Sequence, residues 1–95
     1  MTLKHQDSAL HIVTTVIKEW DPYDLISGGA PSDEFDGEVR DIVSQFDRIR
    51  SPEDAAHIVS RVFSSSFEAE KFDLDACRPV GKKLYLALRD GGLLD

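Results

Sequence analysis

The chain has 95 residues, 41% hydrophobic and 31% charged, with a formal net charge of −7. A chain of this length buries roughly 64% of its unfolded surface, enough for one modest core and too little for two domains. The acidic balance disfavours a nucleic-acid binder, whose electrostatic footprint is basic. Residues 1–95 are therefore read as a single domain.

No stretch approaches the ~18 apolar residues of a membrane span. Met1 to Ser8 is polar and lacks the basic start and apolar run of a signal peptide. The lone cysteine, Cys77, cannot form an internal disulfide. Cytoplasm is the expected compartment.

The first predicted helix runs from about Ser8 to Trp20. Ala9, Leu10, Val13, Val16, Ile17 and Trp20 share one arc at helical periodicity. The β-branched run Ile12–Ile17 makes strand the competing reading, and the spacing and length favour helix. A connector of residues 21–34 follows. Its Asp21-Pro22-Tyr23-Asp24 predicts an N-cap, a proline at the first position and one extra turn through Leu25 and Ile26. Gly28 and Gly29 would end that turn.

The second long helix is predicted over Asp36 to Ile49, with Val39, Ile42, Val43, Phe46 and Ile49 inward. The third opens on Ser51-Pro52-Glu53-Asp54, a cap, a first-turn proline and two acids that suit the dipole. Ala55, Ile58, Val59, Val62 and Phe63 give its buried face, and fraying is expected at Ser64-Ser65-Ser66. Phe67 and Phe72 should pin the next loop to the core. The fourth helix covers about Asp75 to Asp90, with Cys77, Val80, Leu84, Ala87 and Leu88 inward. Pro79 is tolerable in a first turn and would break an interior. Gly91-Gly92 predicts a C-cap, with Leu93 folding back on the helix.

These elements predict an all-α fold: a compact, mostly antiparallel four-helix array with a short extra turn in the first connector. The expected core includes Val13, Ile17, Trp20, Val39, Ile42, Phe46, Val59, Val62, Phe63 and Leu84.

The charges are segregated. Residues 19–41 hold Glu19, Asp21, Asp24, Asp33, Glu34, Asp36, Glu38 and Asp41 against Arg40 alone, giving −7. The remaining 72 residues carry ten acids and ten bases. Acids near helix N-termini stabilise by ~0.3–1 kcal/mol each, so capping and solvation account for much of this pattern. The sharper reading is a surface that attracts a basic partner.

Metal and catalytic motifs do not assemble. Setting Gly37 at position 6 of an EF-hand loop puts Ser32, Glu34 and Asp36 at positions 1, 3 and 5, but Val43 at position 12 cannot ligate. His5, His11 and His57 lack zinc-ligand spacing, and His57 is expected at the surface. Gly28-Gly29 lacks the lysine and hydroxyl of a P-loop. No serine elbow exists. Cys77 falls on an apolar stripe and reads as a buried, inert thiol. No catalytic, cofactor-binding or metal residue is assigned.

The connector carries a resemblance. Glu19-Trp20-Asp21-Pro22, Leu25-Ile26, Gly29-Ala30-Pro31, Asp33-Glu34-Phe35-Asp36 and Glu38 resemble the YugE-like family of short helical bacterial proteins of unknown function. Phe35 stands where that family usually has tyrosine. Phe67, Cys77 and Lys82-Lys83-Leu84 are similar to its C-terminal part. Tyr23, Gly28 and Pro79-Val80-Gly81 depart from it, and the last of these bears on where the final helix begins. The resemblance implies an all-α fold and no established activity or cofactor.

Two function classes follow. One is a non-enzymatic module, most concretely an immunity protein or antitoxin, that binds a basic protein (a toxin being one candidate) through Asp21, Asp24, Asp33, Glu34, Asp36 and Glu38. The other is a small carboxylate-based or metal-dependent enzyme; a phage-derived or housekeeping scaffold is a third option. Neither a nucleic acid nor a membrane is the expected partner, and the sequence leaves the oligomeric state open.

Overall fold

The structure, a computed structural model, describes residues 2–21, 28–29, 35–67 and 69–94, with side chains from Asp7 onward. Four α-helices span Thr2–Trp20 (α1), Asp36–Val43 (α2), Pro52–Ser66 (α3) and Leu74–Asp90 (α4). Short 3₁₀ turns lie at Phe46–Arg48 and Ala69–Lys71. No strand occurs among the described residues. The all-α expectation holds, and the extra turn expected at Leu25 and Ile26 lies outside the described residues.

The main packing closes a ring: α1 on α2, α2 on α3, α3 on α4, and α4 back on α1, with α3 and α4 in the most extensive contact. Trp20 and Phe35 both pack on Phe63, while Leu10 and Val43 line one groove, so α2 runs back along α1. Phe72 meets Ser60 and Ser64, while Gly81 meets Ala56, so α4 runs back along α3. The Cα radius of gyration is 12.5 Å, against ~12.4 Å for a compact domain of this length.

Each helix end has a local cause. Ser51 caps α3, its hydroxyl accepting from the Asp54 N–H at 3.1 Å, with Pro52 in the first turn. Asp73 caps α4, accepting from the Ala76 N–H at 2.8 Å, so this helix begins at Leu74. Pro79 therefore sits in the second turn, and α4 passes through it unbroken. Pro79 and Asp75 are both exposed. The Asp75 carbonyl, which loses its ladder donor to the proline ring, can turn to water. At the other end, the Leu93 N–H donates to the Leu88 carbonyl at 3.0 Å and the Gly92 N–H to the Arg89 carbonyl at 2.9 Å. With Gly92 at φ +77°, this is the glycine C-cap that Gly91-Gly92 predicts.

The boundaries of the first three helices differ from expectation. α1 begins at Thr2, six residues before Ser8. α2 stops at Val43 instead of running to Ile49. The Ser44 hydroxyl donates to the Asp41 carbonyl at 2.6 Å, and the Gln45 amide donates to the same carbonyl at 3.3 Å. Gln45 leaves helical geometry at φ −131°, and the chain tightens into the 3₁₀ turn. α3 does not fray at its serines and continues to Ser66. The Ser60 and Ser64 hydroxyls both donate to the Phe72 carbonyl, at 2.6 and 3.2 Å, tying the helix to the loop that follows it.

The expected core residues are buried except Trp20 and Phe46, which are half-buried. Trp20 joins an aromatic cluster with Phe35, Phe63, Phe67 and Phe72. Phe63 is its centre, with ring centroids 5.1 Å from Trp20, 5.3 Å from Phe72, 5.8 Å from Phe67 and 5.9 Å from Phe35. The Trp20 pair is edge-on, the Phe35 and Phe72 pairs are tilted and the Phe67 pair is stacked, and such ring pairs add to plain burial. Phe67 and Phe72 pin their loop as expected. Cys77 is fully buried, and its thiol lies 3.7 Å from the Phe72 carbonyl.

Candidate functional site

The acidic residues that the sequence singles out do not share one environment. Asp21 follows α1 directly, its N–H donating to the Ile17 carbonyl at 2.9 Å, with φ at +43°. Asp and Asn tolerate this left-handed conformation better than other non-glycine residues. Asp21 is buried, only 8% exposed. Burial of this degree leaves Asp21 less exposed than the acids of α2. Asp24, Asp33 and Glu34 lie outside the described residues.

Asp36 and Glu38 occupy the first turn of α2, where Phe35 supplies no side-chain cap. Their negative charge complements the unpaired N–H groups there. Asp36 is exposed, and the Arg40 Nε donates to its Oδ2 at 3.0 Å across one turn. The single base of the acidic segment is thus engaged within the segment itself. Glu38 is half-buried. Asp41 is exposed and its Oδ1 accepts from the Gln45 Nε2 at 3.1 Å, while the Gln45 Oε1 accepts from the Arg61 guanidinium of α3 at 3.1 Å.

Two open grooves flank α2 and the chain that follows. One, of about 260 Å³, lies between α1 and α2 and is lined by Asp7, Leu10, Arg40, Val43 and Ser44. The other, of about 340 Å³, is lined by Asp47, Ile49, Arg50, Leu93 and Leu94. Neither was legible in the sequence, because each joins residues from separate elements.

On the opposite pair of helices, Arg78 bridges Glu53 at 2.6 Å and Asp75 at 3.0 Å. The hydrogen bond to Asp75 and the charge of Glu53 hold its guanidinium protonated more firmly than usual. His57 is at the surface, as expected, with its Nε2 3.8 Å from Glu53. Burial, aided by Asp73, pushes the Cys77 thiol up from 9.0 to about 11. That is the behaviour of an inert thiol. Among the described residues, no three His, Cys, Asp or Glu side chains converge on a metal position. No described helix is long and apolar enough to cross a membrane.

The family model "Domain of unknown function (DUF1871)" matches residues 12–92. The chain belongs to this family. The match covers all four helices in whole or part, including the connector and the Gly91-Gly92 cap. Neither a curated protein nor a solved structure matches the chain.

Proposed function

We propose that this protein is a non-enzymatic, acidic protein-binding module of the bacterial cytoplasm, most concretely an immunity protein or antitoxin. The resemblance of its connector motif, Trp20-Asp21-Pro22 through Glu38, to the YugE-like proteins supports a bacterial origin on this reading. One observation carries the proposal: the whole −7 lies in residues 19–41, while the other 72 residues balance. Uniform solubilising charge would not be confined in this way. Asp36 and Asp41 are exposed on α2, and Arg40 is already paired with Asp36, so it offsets only one of these acids. A field of this sign draws a basic surface, such as the cleft of a nuclease, and opposes nucleic acid.

The test uses the protein as bait in a lysate of its source organism, beside a variant with Asp33, Glu34 and Asp36 changed to lysine. The wild type should retain a basic protein that about 1 M salt releases, and the variant should not. Identical retention by both proteins contradicts the proposal.

A further inference from the structure

Resting on that reading, we infer that the groove between α1 and α2 receives an apolar side chain flanked by basic residues on the partner protein. The groove is formed by Asp7 and Leu10 of α1 with Arg40, Val43 and Ser44 at the end of α2, and encloses about 260 Å³. Leu10 and Val43 are half-buried apolar side chains that pack against the core and still reach the surface. They form an apolar floor able to hold one aliphatic side chain. Burying an aliphatic side chain there removes apolar surface from water, worth about 1.5–3 kcal/mol if burial is complete.

Charge complementarity identifies the occupant. Asp7 is exposed at one wall and makes no ion pair with a described residue. At the other wall Arg40 is held by Asp36, so it adds little net positive charge. Asp41 is exposed beside it on α2. A helix rises ~1.5 Å per residue, so the eight residues of α2 bring its first-turn acids within ~10 Å of the groove along the axis. That is about one Debye length at 0.1 M salt. The groove therefore sits inside the negative field, and a segment bearing bases on either side of an apolar residue satisfies both. Steering by the acids governs arrival, and the groove governs departure.

The probe is the acetylated, amidated tripeptide Lys-Leu-Lys, titrated into the ¹⁵N-labelled full chain, with Glu-Leu-Glu as its control. Saturable shifts centred on Leu10, Val43 and Ser44 are expected with the basic peptide in the millimolar range. Glu-Leu-Glu should produce none. Leu10→Ser should weaken binding about tenfold by removing the floor. Asp7→Lys, an exposed change that leaves the packing alone, should weaken it severalfold. Absence of saturable shifts at these residues, or equal shifts with both peptides, overturns the inference. If the peptide fails while reversal of Asp33, Glu34 and Asp36 still slows partner association, only the groove assignment falls. If the peptide binds the groove and that reversal has no effect, the acidic-steering reading falls instead.

Discussion

Gly81 of α4 lies directly on the backbone of Ala56 in α3. A Cβ placed on Gly81 would stand 2.6 Å from both the Cα and the N of Ala56. An exposed helical glycine changed to alanine normally gains about 1 kcal/mol. Here the sign reverses, because the obstruction is backbone and one helix must move. Gly81→Ala should cost about 1–3 kcal/mol, as overpacking does. Ala56→Gly should not rescue it, since the closest atoms would remain. Urea melts of the single and double variants check both statements, and a stabilised Gly81→Ala would contradict the packing.

Phe63 holds the aromatic cluster together. Phe63→Ala should cost about 3–5 kcal/mol, as large truncations in cores do. Trp20→Ala should cost about 3 kcal/mol, the lower end, because Trp20 keeps one side toward solvent. Trp20 is the sole tryptophan, so its emission in Phe63→Ala reports on the cluster directly. A blue-shifted wild-type spectrum that moves red in the variant is expected. An unchanged spectrum would show that the two rings do not share an environment.

Cys77 links stability to alkaline pH. Its folded thiol is raised to about 11 from 9.0. The unfolded chain therefore loses its thiol proton first as pH rises. The contribution is complete below pH 9.0 and is lost on going toward about 11. Its size is on the order of 2 kcal/mol. Cys77→Ser should flatten that part of the stability profile. At neutral pH the native thiol should react with a disulfide reagent only as fast as the protein opens; rapid labelling without denaturant would contradict the burial.

Much of this fold can be read from the chain because its determinants are local. Ser51-Pro52 starts a helix, Gly91-Gly92 ends one, and the 3.6-residue spacing of Val39, Ile42 and Val59, Val62 turns those side chains inward. What could not be read depends on partners distant in sequence or on competing local bonds. Phe46 continues the stripe of α2, so periodicity extends the helix past Val43, while the Ser44 and Gln45 side chains close on Asp41 and end it. The serines of α3 look like poor helix formers until Phe72 supplies an acceptor to two α3 hydroxyls. Gly81 gives no sign in sequence that Ala56 lies against it. Asp21 has the residue type of a cap, and only the folded chain shows it buried. The charge segregation was plain from counting; the groove beside α2 required the fold.

The measurement that tests the central claim most directly is the association rate with a partner isolated from the source organism. The variant carrying lysine at positions 33, 34 and 36 takes the 19–41 segment from −7 to −1, each reversal adding two charges. Raising salt from about 0.1 M to 1 M shortens the Debye length from ~10 Å to ~3 Å. Either change should slow association about tenfold or more, while melts run in parallel show the fold intact. An association rate unmoved by both the reversal and the salt would reduce the acidic segment to capping and solvation and contradict its role as a docking surface.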